Sequence, residues 1–110
     1  MLLVAWAALA HAQSNLPLQL KKTISMPDVQ GRIDHMFFDA QSGRLFVAAL
    51  GNNTVEVIDV SQGKRVHTIS GLHEPQGILY LSAPNRLYVA DGDDGTLRIF
   101  DGTLYKPWPA

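Results

Sequence analysis

The stretch Arg44-Leu-Phe-Val-Ala-Ala-Leu-Gly-Asn-Asn-Thr-Val-Glu-Val-Ile-Asp59 decides how the rest of the chain is read. It returns as Arg86-Leu-Tyr-Val-Ala-Asp-Gly-Asp-Asp-Gly-Thr-Leu-Arg-Ile-Phe-Asp101, shifted by 42 residues and without a gap. Arg, Leu, Val, Ala, Thr and Asp are identical at matched places, and Phe46 is answered by Tyr88. Each copy holds two short apolar runs around a polar, turn-forming centre. Gly51-Asn52-Asn53 in the first copy and Asp91 to Gly95 in the second supply residues that tolerate the left-handed backbone of a tight hairpin. The unit is therefore a strand, a hairpin and a second strand, used twice.

Working outward, Met36-Phe37-Phe38 before the first copy is a continuous apolar run, which predicts a strand covered on both faces. We expect it to span about His35 to Asp39, joined to the next strand by a turn through Gly43. After Asp59, a turn to Lys64 leads to an outer strand, Arg65 to Ser70. Residues 34–70 thus read as one four-stranded unit, and residues 76–110 as a second, incomplete one. In the second, Gly77 to Leu81 is the inner strand, and a fourth strand is expected to start near Tyr105 or Lys106. The closing Lys106-Pro-Trp-Pro-Ala110 suits neither a central strand nor a helix, so the sequence reads as cut within this unit. Upstream, Leu18 to Ser25 alternates between apolar and polar residues, and its Thr23-Ile24-Ser25 matches Thr68-Ile69-Ser70. It reads as the outer strand of a preceding unit. A period in the low forties built from short strands is the mark of a β-propeller blade. The expected class is all-β, a propeller fragment of four-stranded antiparallel blades. With 110 residues it is too short for a closed ring of about 4 to 8 blades. An unclosed wedge with a small core and bare edges is expected to fold poorly alone.

Composition excludes several functions. The net charge of −1 carries no basic patch for nucleic acid. The absence of cysteine excludes disulfides, thiolate metal sites and a cysteine nucleophile. Met1 to Ala10 is nearly all apolar, and Ala10-His11-Ala12 fits the small-x-small rule, so residues 1–12 read as a secretory signal cut after Ala12. The run is too short for a transmembrane helix of about 20 residues. Residues 13–17 form a linker, and the location implied is periplasmic or secreted.

Pro75-Gln-Gly-Ile-Leu-Tyr80, Asn85-Arg-Leu-Tyr-Val-Ala-Asp91 and Gly95-Thr-Leu-Arg-Ile-Phe-Asp101 together resemble the repeat of the YVTN family of β-propellers. The namesake tetrapeptide stands here as Tyr88-Val89-Ala90-Asp91, and more weakly as Phe46-Val47-Ala48-Ala49. The resemblance covers about Leu18 to Gly102. It implies an exported propeller used for binding or as a scaffold, with a small molecule or a protein as partner. Related propellers include lactonase-like hydrolases with a divalent metal in the channel, and electron-transfer proteins. Fold alone does not choose among these, and the sequence itself shows no cofactor motif.

The candidate ligand or metal residues are Asp34 and His35, where the chain enters an inner strand, and His73 and Glu74, in the corresponding loop of the second unit. An imidazole beside a carboxylate suits metal binding or proton relay. The other recurring residues read as structural. Asp59 and Asp101 end the third strand of each unit and are expected to accept hydrogen bonds from turn amides. Gly51, Asn53 and Gly95 are expected to make the hairpins. Asp91 to Gly95 superficially resembles a calcium loop, but its glycine and missing glutamate break the pattern. Arg44 and Arg86 are expected to carry solvated guanidinium groups. Glu56 and Arg98, of opposite charge at one repeat position, are expected to pair across the two units. No Gly-x-Ser-x-Gly elbow, phosphate loop or dinucleotide glycine pattern occurs.

Overall fold

The structure is a computed structural model in which residues 16–109 are described. The expected signal segment 1–12, and the linker before residue 16, lie outside the described residues. Among the described residues seven strands follow in order: β1 (Met36–Asp39), β2 (Arg44–Ala49), β3 (Thr54–Asp59), β4 (Lys64–Ile69), β5 (Pro75–Leu81), β6 (Arg86–Asp91) and β7 (Thr96–Asp101). They form two antiparallel sheets, one ordered β1-β2-β3-β4 and the other β5-β6-β7. No helix among the described residues is long and apolar enough to cross a membrane.

The shift of 42 residues holds strand by strand. Arg44 faces Asp59 across β2 and β3, and Arg86 faces Asp101 across β6 and β7. Phe37 faces Phe46, and Leu79 faces Tyr88. The turns repeat too, because each needs one residue with positive φ. Gly43 (φ 71) matches Asn85 (φ 61), Asn53 (φ 57) matches Gly95 (φ 67), and Gly63 (φ 65) matches Tyr105 (φ 57). Glycine and asparagine enter this region at little cost, whereas tyrosine does so rarely. Tyr105 is held there by packing, since its ring meets Phe46 edge-on at 6.4 Å and lies 4.7 Å from that of His67.

The two sheets stack face to face. Phe46, Val55, Val57 and Ile69 of the first sheet bury against Leu72, Leu87, Val89 and Phe100. Phe46 stacks on Tyr80 at 5.6 Å. Burying such side chains stabilises by about 1.5–3 kcal/mol each. This shared core is what holds the sheets together.

Two expectations are corrected. Leu18 to Ser25 pairs with no sheet, and Leu18 and Leu20 are exposed. A strand gains its ladder only from a neighbour, and this segment instead runs past the first sheet, where Arg65 donates to the Pro27 carbonyl at 3.1 Å. Secondly, the apolar run of β1 is covered on one face only, with Met36 and Phe38 exposed. Beyond β7 the chain makes the beginning of a fourth ladder, at the place where a fourth strand is expected to start. Asp101 N donates to Lys106 O at 2.8 Å and Trp108 N to Ile99 O at 2.9 Å, with Pro107 bridging to Phe100. Proline has no N–H with which to extend that pairing.

Candidate functional site

The four candidate residues lie in the loops that lead into β1 and β5. One short turn, the 3-10 segment Leu50–Asn52 followed by Asn53, ties these loops together. Gly51 N donates to Arg32 O at 2.9 Å, and Gln30 N donates to the Asn52 side chain. On the other side, Glu74 N donates to Asn53 Oδ1 at 3.0 Å, and Leu72 N to Asn53 O. The approach at Gly51 is close: a Cβ there would lie 2.6 Å from Arg32 N and 2.8 Å from the Gly31 Cα. Only glycine fits between these backbones.

Within this frame, His35 Nδ1 lies 2.8 Å from Asp34 Oδ1, and Arg32 donates to Asp34 Oδ2 at 3.3 Å. The backbone holds the pair in place, with Asp34 N donating to Ala48 O and Ala48 N to His35 O. The His35 ring is 72% exposed, so water competes for whatever it would bind. His73 and Glu74 are exposed as well. Their carbonyls accept from Asp93 N and Gly92 N, which fixes the second loop to the β6–β7 hairpin. The Asp34–His35 pair and the His73–Glu74 pair thus share an end of the molecule, and no hydrogen bond or ion pair joins one pair to the other. No group of three or more His, Asp or Glu among the described residues is arranged to hold a metal ion.

Gly95 and Asn53 sit at the left-handed positions of their hairpins. Asp59 Oδ1 accepts from Ser61 Oγ at 2.7 Å and Gln62 N at 2.9 Å. Asp101 Oδ1 accepts from Leu104 N at 2.7 Å and Thr103 N at 2.8 Å. In the acidic hairpin, Asp94 accepts from Thr96, and Arg98 bonds both Asp91 and Asp94. These bonds favour the charged carboxylates. Asp59 is held below its ordinary pKa chiefly by the Ser61 hydroxyl, Asp94 by that of Thr96, and Asp101 by the Leu104 and Thr103 amides. A depressed folded-state pKa contributes stability that is complete above the unfolded value of about 3.9 and is lost as pH falls through the lower, folded one. The melting temperature is therefore expected to drop as the pH falls below about 4. The double variant Asp59→Asn/Asp101→Asn should flatten that acid limb in a pH series of thermal melts.

Two expectations about charged residues are corrected here. Arg44 is not solvated. Its guanidinium lies 4.8 Å from the centre of the Tyr80 ring and 5.1 Å from that of Phe46, and it donates to Gly102 O at 2.6 Å and the Tyr105 hydroxyl at 2.7 Å. Burial opposes its charge, but bonding to Tyr105 and Tyr80 outweighs that and raises its pKa above the ordinary arginine value. Arg86 lies over Trp108 at 4.4 Å and faces Asp101. Glu56 and Arg98 do not pair with each other. Glu56 is wholly buried and bonds Thr54, Thr68 and Arg65 of its own sheet. A single repeat position with opposite charges suggested a cross-sheet pair, but alternation along β3 points Glu56 away from the second sheet. Its threonine neighbours at positions 54 and 68 were the usable signal. Sequence reasoning also missed Asp91, which is buried, with Oδ2 on Arg98 and Oδ1 without a partner among the described residues.

No protein-family model matches the chain, and no curated protein is similar to it.

Proposed function

We propose that this chain is part of an exported β-propeller of the YVTN type that binds a ligand or serves as a scaffold. Its site is the end where the loops before β1 and β5 meet the Leu50–Asn53 turn. The observation that carries this is the recurrence of each strand and each left-handed turn residue at a shift of 42, in two sheets stacked face to face. Such stacking of repeated sheets is how a propeller is built. The loops at one end of such a scaffold can vary without disturbing it, which suits recognition.

A metal-dependent, lactonase-like hydrolase is the second reading, favoured by the 2.8 Å contact between His35 and Asp34. It needs further ligands from elsewhere. Backbone-amide NMR during titration with a library of small soluble ligands tests the first reading. Shifts are expected to cluster at residues 30–35, 50–53 and 71–74; a cluster on β4 would reject the site. Titration with calcium and with zinc separates the two readings. We expect unchanged melting temperatures, and His35→Ala within about 0.5 kcal/mol of the parent. A stoichiometric metal lost in His35→Ala, together with lactone hydrolysis, would establish the hydrolase instead.

A further inference from the structure

We propose that the bare face of the β5-β6-β7 sheet is a docking surface for the first sheet of a second copy of this chain, arranged head to tail. The inference rests on the repeat geometry and needs neither the export nor the ligand reading.

Side chains alternate across a strand, so the register divides each sheet into two faces. In the first sheet, Phe37, Phe46, Val55 and Val57 lie on the face that packs against the second sheet. Shifted by 42, these become Leu79, Tyr88, Leu97 and Ile99, which share the far face of the second sheet. That face is uncovered: Leu79 is 44% and Leu97 62% exposed. It holds a hollow of about 350 Å³ lined by Gly77, Ile78, Leu79, Tyr88, Ala90 and Leu97. Apolar faces of this kind mark interaction sites.

The complementary half is open along β1. The second sheet turns Ile78, Tyr80, Leu87 and Val89 toward the first. Shifted back by 42, these are Met36, Phe38, Leu45 and Val47. Of these, Met36 is 59% and Phe38 52% exposed, whereas Val47 is buried at 2%, so the open part of that face runs along β1, away from the β4 side where Arg65 ties the 18–31 segment. The chain therefore carries, on its two outer faces, the counterpart of one half of its internal interface and, along β1, the open part of the other.

The polar part of the interface has a counterpart as well. Arg44 reaches across to Gly102 O and lies over Tyr80. Arg86 occupies the same repeat position on the bare face. In the docked pair it would swing from Trp108 to the Val60 carbonyl and the Phe38 ring of the second copy. An interface that joins two different patches of one chain is heterologous, and its repetition closes a ring or extends as a filament.

Sedimentation velocity of the full 110-residue chain over rising concentration tests this. The parent is expected to self-associate. Leu97→Asp removes one patch and Met36→Glu the other, and each alone should weaken self-association at least about tenfold, which is about 1.4 kcal/mol. Both residues are exposed, and far-UV circular dichroism checks that the sheets persist; Leu79→Lys is the alternative to Leu97→Asp. Mixing the Leu97→Asp and Met36→Glu chains should restore a one-to-one heterodimer and nothing larger, because one intact patch remains on each. A parent that stays monomeric overturns the proposal, as does a mixture with no heterodimer. Loss of association in Leu97→Asp with full association in Met36→Glu would mean that the bare face pairs with itself, which also overturns it.

Discussion

Phe46→Ala is expected to leave the chain predominantly unfolded at room temperature. Phe46 is fully buried at the junction of the two sheets. Its ring stacks on Tyr80, meets Tyr105 edge-on and supports the Arg44 guanidinium. Truncating a buried phenylalanine costs about 3–5 kcal/mol, and aromatic pairing adds to the loss. A domain's whole stability is about 5–15 kcal/mol, and a small one with a bare sheet face falls at the low end. The substitution also removes the platform that lets Arg44 reach Gly102, so the polar tie between the sheets loosens with the core. Urea unfolding followed by circular dichroism measures the loss. Leu104→Ala, 63% exposed in the turn after β7, is the control and should stay within about 0.5 kcal/mol of the parent. Equal midpoints for the two variants would mean that the aromatic junction is not what joins the sheets.

Arg65→Ala is expected to be the most damaging change on the opposite face of the first sheet. Glu56 has no exposed surface and is bonded by the Thr54 and Thr68 hydroxyls, each at 2.7 Å, and by Arg65 at 3.2 Å. Taking away one partner of a buried ion pair leaves an uncompensated charge and costs about 3–5 kcal/mol. The Arg65 side chain is 25% exposed, so water reaches the gap and places the cost at the lower end. Replacing both partners removes the charge as well as its counter-charge. Glu56→Leu/Arg65→Leu should therefore be more stable than Arg65→Ala alone. A thermodynamic cycle built from urea midpoints reads this directly, and a double variant less stable than the single one would refute the account. Arg65 also donates to Pro27 O, so Arg65→Ala should free the 18–31 segment and speed proteolysis there.

What could be read from the chain alone was what its local chemistry decides. Turn residues with access to positive φ, such as Gly43, Asn53, Gly63 and Gly95, and apolar runs between them set the strands, the antiparallel order and a register repeating every 42 residues. Alternation likewise put Val55 and Val57 on one face. These features depend on backbone sterics within a few residues, so no distant contact is needed to predict them. The residues of the candidate site were chosen by position, since a loop entering a strand repeats with the strand. Their geometry was not legible in this way, because the Gly31–Gly51 approach and the Asn53 bonds that tie the two loops join segments far apart in sequence. The tertiary structure alone decided which strand faces are covered. It caged Arg44 between aromatic rings, buried Glu56 among threonines, left Met36 and Phe38 open and kept Leu18 to Ser25 out of any sheet. Burial depends on what the other sheet or segment brings against a residue, and a repeat that specifies the same strand twice does not specify its neighbours.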